Sequence, residues 1–163
     1  MNEVERLIAK LELQPLPIGG GFFRQTWVGA KLAQTGRPTG TAIYFLITPD
    51  NFSALHRLEA DEVWHFYAGD PVELVMLDPP TGAKQLVRLG PEVLAGDVPQ
   101  HVVPAEVWQG ARLVTSINEP RGWALLGCTM APGWDQRDFV PGNRSELKVM
   151  FPEAGAEIDL LTR

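Results

Sequence analysis

The sequence predicts an all-β protein with helix confined to its two ends. Three observations carry this. The 163 residues include 16 glycines and 14 prolines, together about 18% of positions where ~12% is ordinary. So many breakers would interrupt a helical bundle, whereas short strands and tight turns accommodate them. Between Phe22 and Met130, runs rich in β-branched and aromatic residues recur roughly every ten positions, bounded by Gly, Pro, Asp and Asn. No helical period of apolar residues intervenes, and the pattern is that of a sandwich or barrel.

At the start, Val4, Leu7, Ile8 and Leu11 lie at i, i+3, i+4 and i+7, with charged residues filling the other face. They predict an amphipathic helix, capped by Asn2, ending before Pro15 and packing on a sheet. Strands are then expected at Phe22 to Val28, Thr41 to Thr48, Ser53 to Leu58, Glu62 to Ala68, Val72 to Leu77 and Lys84 to Leu89. Further strands are expected at Gln100 to Val103, Val107 to Gly110, Arg112 to Asn118 and Trp123 to Met130. Pro79-Pro80-Thr81-Gly82 and Gly96-Asp97-Val98-Pro99 read as turns. The stretch from Gly29 to Gly40 reads as a loop. Asn143-Arg144-Ser145-Glu146 has the form of a capping box, with Leu147, Met150 and Phe151 following on one face. A short helix is expected there, ending before Pro152.

A mass of 18.0 kDa suits one domain over residues 1–163. A chain of this size buries roughly 70% of its unfolded surface, enough for a core without disulfides or a structural metal. The net charge is −6, and no Lys/Arg run exceeds two, so nucleic acid is a poor partner. The longest apolar run, Ala42 to Ile47, is far short of the ~20 residues of a membrane span. Membrane is therefore not an expected partner. The acidic N-terminus lacks a signal-peptide apolar stretch. A single cysteine, Cys128, excludes an internal disulfide, and a reducing cytoplasm is the expected compartment.

The specific part of the sequence begins at Ser53. The run Ser53 to Gly69 is a His-containing strand, a short turn and a strand that opens with Glu62 and closes at Gly69. This resembles the first half of a cupin motif. Gly96-Asp97 and Val103-Pro104-Ala105-Glu106-Val107-Trp108-Gln109 resemble the second half. Glu106 and Gln109 there stand in place of the Gly and His of the usual Pro-x-Gly-x-x-His.

More closely, the chain resembles the cupin subfamily catalogued as a domain of unknown function. The resemblance rests on Gly20 to Thr26, Thr41 to Thr48, Phe52 to Arg57, Asp61 to Asp70 and Gly127 to Trp134. Its most specific element is Trp64-His65-Phe66-Tyr67-Ala68-Gly69. Pro17-Ile18-Gly19 stands where that subfamily usually has His-Pro-Glu. The resemblance implies a double-stranded β-helix, a jelly-roll-like barrel, closing on a pocket in its mouth that holds one small ligand.

Cupin metal sites generally use three His and one Glu. The matching places here offer only His56, Glu62 and Gln109, a weak set for a divalent transition metal, so no cofactor is expected. A buried His56–Glu62 hydrogen-bonded pair, or contacts to an organic ligand, are the alternatives. His56, Glu62 and Tyr44 are the candidates for acid–base work of the isomerase or epimerase kind. Strand alternation from Glu62 points Trp64 and Phe66 inward, and His65 and Tyr67 outward, which favours Tyr44 over Tyr67 in the pocket.

Arg24, Ser53, Trp64 and Gln109 complete the expected ligand contacts. Simple alternation separates Ser53 from His56, and a bulge is expected to bring both inside. This set suits a small polar molecule, anionic or sugar-like, with Arg24 on any negative group. Trp64 and Trp108, flanking the two half-motifs, are the expected pocket walls. Cys128 reads as a buried small hydrophobe. The alternative is a non-catalytic binding or sensor protein with the same pocket. The apolar excess of Phe22 to Val28 and Thr41 to Thr48 predicts a homodimer.

Overall fold

A computed structural model describes residues 1–163. Two antiparallel sheets pack face to face. Strands β1 (Gln14–Pro15), β2 (Phe22–Val28), β3 (Thr41–Ile47), β4 (Ser53–Arg57), β5 (Glu62–Gly69), β6 (Val72–Asp78) and β7 (Ala83–Leu89) precede β8 (Gln100–Val103), β9 (Trp108–Leu113), β10 (Ala124–Met130) and β11 (Val140–Pro141). One sheet has the order β1-β2-β3-β10-β5-β8, the other β11-β4-β9-β6-β7. Consecutive strands thus alternate between sheets in places, as a jelly-roll-like barrel requires.

The expected strands form, with one merger. Val107 to Gly110 and Arg112 to Asn118 are a single strand, β9, and residues 114–122 are loop. Gly110 marks close packing, not a turn. A Cβ there would lie 3.1 Å from the Ser53 carbonyl oxygen and 3.2 Å from Leu55. The two-residue strands β1 and β11 carry too little pattern to be read from sequence.

Helix α1 (Glu3–Leu11) starts with the Asn2–Glu5 capping box and stops at Glu12, which takes a left-handed conformation (φ 54°). Its apolar stripe packs with Leu13, Leu46 and Trp123 on the outer face of the six-stranded sheet. Glu3 fixes the helix by accepting from Trp123 Nε1 at 2.9 Å. The tail holds two helices where one was expected. Helix α2 (Arg144–Met150) is capped by Asn143, and α3 (Gly155–Leu161) follows a 3₁₀ turn at Pro152–Ala154. Together they cover the outer face of the other sheet, burying Leu147, Phe151, Ile158 and Leu161 against Leu55, Val75, Leu77 and Trp108. Trp108 therefore belongs to that outer layer and is no pocket wall. No helix is long and apolar enough to cross a membrane.

The inner faces of the sheets form the main core, around Phe45, Trp64, Leu74, Met76, Leu113 and Leu126. This core fills one end of the sandwich. The other end stays open.

Candidate functional site

The open end is a cavity of about 200 Å³. Strand parity decides what faces it. Glu62 and Trp64 point inward from β5, and Ile43 and Phe45 from β3. On β4 the register against β9 pairs Ser53 with Ala111 and His56 with Gln109, three residues against two. That irregularity is the expected bulge. It brings Ser53 and His56 onto the same inner face, and both line the cavity.

The loop from Gly29 to Gly40 has a structural role at the mouth. Arg37 donates from Nε to the Gly133 carbonyl at 2.8 Å and is ion-paired with Asp138. Thr41 Oγ1 accepts from the Trp134 backbone N–H at 2.9 Å. These bonds fasten the segment that carries two further aromatic walls, Trp134 and Phe139. Just before β2, Gly21 takes φ +79°, and a Cβ there would lie 2.6 Å from the Phe45 ring. Only glycine permits so close an approach.

His56 is buried, and its ring stacks on Phe139 with centroids 5.0 Å apart and planes 13° apart. Its Nδ1 is 2.8 Å from the Ala54 carbonyl oxygen. A carbonyl only accepts, so Nδ1 carries the proton and the lone pair of the neutral ring sits on Nε2. Glu62 Oε2 lies 4.0 Å from Nε2, too far for a direct hydrogen bond. Glu62 is 7% exposed, and Oε2 is buried without a hydrogen-bond partner. Cys128 also lines the cavity. Burial, then the neighbouring Glu62 carboxylate, push its thiol well above the ordinary range, so it stays protonated.

Three expected site residues, Arg24, Tyr44 and Gln109, do not line the cavity. Arg24 and Tyr44 occupy positions whose side chains point to the outer face, because their neighbours Phe23, Gln25, Ile43 and Phe45 take the inner one. Arg24 pairs there with Glu12 at 2.9 Å and lies 5.4 Å from the Tyr44 ring centroid. Tyr44 thus cannot act with His56 on one molecule in the cavity. Gln109 is buried in the barrel wall, where Oε1 accepts from Trp64 Nε1 at 2.7 Å. His65 and Tyr67 point outward, as alternation from Glu62 predicts. The walls Phe23, Trp134 and Phe139 were missed as site residues. They are apolar positions like any other until the fold brings them to the mouth.

A cupin metal would need at least three donors. The residues present do not supply them: Gln109 Oε1 is engaged by Trp64, and His56 offers Nε2 alone. No group of three His, Cys, Asp or Glu side chains converges.

Comparison with known proteins fixes the family. The description Cupin superfamily (DUF985) matches residues 5–140. The chain belongs to that cupin family. No curated protein matches it. Among solved structures, the cupin is similar to a hypothetical protein from Leishmania major at 32% identity. That alignment covers 99% of each chain, with a TM-score of 0.88. A protein from Shewanella oneidensis is also 32% identical, covering 100% of this chain and 99% of its own, with a TM-score of 0.88. A cupin 2 domain-containing protein from Halorhodospira halophila shares the fold at 19% identity, with a TM-score of 0.57 over 88% of this chain and 83% of that one.

Proposed function

We propose that this cupin binds a small molecule in the open end of the barrel, a largely apolar body carrying one polar group that meets His56 and Glu62. The observation that supports this reading is the buried, unpartnered Oε2 of Glu62 beside the free lone pair of His56 Nε2. A buried carboxylate oxygen without a partner costs several kcal/mol unless something bonds to it. The rest of the wall is mainly aromatic and aliphatic. A polyhydroxylated or carboxylated ligand, expected when Arg24 was placed in the pocket, would meet no lysine or arginine there. An apolar cavity of about 150 Å³ accepts benzene, so the volume suits one ring with a small substituent.

A second reading, proton transfer on the bound molecule, is favoured by the same lone pair. His56 Nε2 is free to accept a proton from a ligand atom held against it.

Binding is tested by thermal shift with a panel of small ring compounds. A ligand at a hundred times its dissociation constant adds about 2.7 kcal/mol of stability. The expected result is a shift that His56→Ala weakens and Arg24→Ala leaves unchanged. A shift that Arg24→Ala removes would place the site on the other face of the sheet.

We propose also that a second copy of the chain covers the outer face of the six-stranded sheet beyond α1. Trp27, Tyr67 and Val102 are exposed there at 54%, 50% and 46%, beside Val63, His65 and Thr129. None of these carries an acid, lysine or arginine, although the chain as a whole has net charge −6. Two like-charged copies meet with least repulsion on such a face, and it is self-complementary in chemistry.

A further inference from the structure

We propose that the cavity ligand is a small organic ammonium ion, an amine on a ring-sized apolar body. This rests on the reading of the cavity as a ligand site and names the chemistry of what enters it.

The number of protons is the first reason. Both polar atoms described above are acceptors. Glu62 Oε2 has no proton to give as a carboxylate, and in the neutral His56 ring Nε2 has none, since the Nδ1–H faces the Ala54 carbonyl. They are 4.0 Å apart. A donor centre ~2.8 Å from each closes that gap with two hydrogen bonds. It must carry two protons to do so. A hydroxyl carries one and satisfies one acceptor only. A primary ammonium satisfies both and keeps a third proton for Ser53 or a water.

Charge is the second reason. Glu62 is the only acidic residue lining the cavity, and no lysine or arginine lines it. An anion entering would face a buried carboxylate with no counter-ion. A cation neutralises it, and hydrogen bonds between charged partners are roughly twice as strong as neutral ones. The Cys128 thiol, held protonated by burial and by Glu62, adds no competing charge.

Aromatic surface is the third. Phe23, Phe45, Trp64, Trp134 and Phe139 line the same cavity. Ring faces attract a cation within about 6 Å of the centroid, most strongly when both are out of water. A cage of rings around one carboxylate is the chemistry that recognises an alkylammonium group. The same rings provide the apolar wall for its body.

The test is isothermal titration of the full chain, at neutral pH, with three probes of one shape: benzylamine, benzyl alcohol and benzoate. Benzylamine is expected to bind at least tenfold more tightly than benzyl alcohol, and benzoate not to bind. In Glu62→Gln, which keeps the shape and removes the charge, benzylamine is expected to weaken at least tenfold while benzyl alcohol changes less than twofold. A readout on the unaltered protein covers the case in which that variant does not fold. Nuclear Overhauser contacts are expected between the benzylamine methylene and the ring protons of Trp64 and Phe139. If benzyl alcohol or benzoate binds in the cavity as tightly as benzylamine, the ammonium assignment is overturned and the ligand site stands. If none of the three binds, or if the contacts fall on surface rings, both are overturned.

Discussion

Trp64 Nε1 donates to Gln109 Oε1 at 2.7 Å, and both side chains are 1% exposed. The bond joins the two sheets across the barrel interior, β5 to β9. Replacing Gln109 by Leu removes the acceptor and leaves the indole N–H buried and unpaired. Urea denaturation is expected to show a loss of ~1–3 kcal/mol. A loss below ~0.5 kcal/mol would mean that the indole finds another partner.

The same bond bears on metal content. With Gln109 Oε1 committed, His56 and Glu62 are left as two donors where a tight divalent site needs more. Protein purified without chelator is expected to carry well under one equivalent of transition metal. Elemental analysis finding a full equivalent, lost in His56→Ala, would reverse this.

His65 gives the acid side of the stability profile. Gln100 Nε2 donates to its Nδ1 at 3.1 Å, and its Nε2 donates to Thr129 Oγ1 at 2.9 Å, which fixes the neutral ring. Burial lowers its pKa from 6.5. The unfolded chain therefore binds this proton more readily than the folded one. Stability is fully present above pH ~6.5 and falls as pH drops below it. Tyr67, stacked beside His65, is pushed up by burial and adds no charge there that reverses this sign. Denaturation midpoints between pH 7 and 5 are expected to decline in the parent and to flatten in His65→Gln. Equal slopes in both would remove His65 from the account.

Glu106 takes φ 68°, the left-handed region. It stands where the cupin pattern has glycine, and its carboxylate pairs with Arg57, a half-exposed contact worth ~0–1 kcal/mol. A β-branched residue tolerates this conformation worst. Glu106→Val is expected to lower stability, and Glu106→Asn to stay close to the parent, because Asn tolerates the left-handed region and a β-branched residue does not. Chemical denaturation of the three proteins decides. A Val variant as stable as the parent would show that the loop adopts another conformation.

The proposed dimer face is tested by charge. Light scattering at micromolar concentration is expected to give twice the chain mass for the parent and one chain mass for Val63→Asp or Tyr67→Glu. A monomeric parent would leave the outer sheet face without a second copy.

Fold class, the ends of most strands and the helix caps can be read from the chain alone, because these are local. Breakers, alternation and capping residues act within a few positions of where they stand. It also placed Glu62 and Trp64 inward and His65 outward, since period-two alternation within one strand needs no knowledge of the rest. The cupin motif located His56 and Glu62. What failed was non-local. Whether Arg24 and Tyr44 face the cavity or the helix depends on which side of their sheet the other sheet packs, and the chain around them is apolar on both faces. Their outward side is taken by α1 through Glu12 and its apolar stripe. Val107 to Gly110 and Arg112 to Asn118 read as two strands because Gly110 interrupts the apolar pattern, whereas in the fold Gly110 lies within β9 where a Cβ would come 3.1 Å from the Ser53 carbonyl oxygen of β4. The character of the cavity was decided last of all. Its aromatic walls come from β2, β3, β5 and the segment before β11, with Phe23 and Phe139 116 positions apart, and only their convergence around an unpartnered Glu62 shows what kind of molecule would satisfy it.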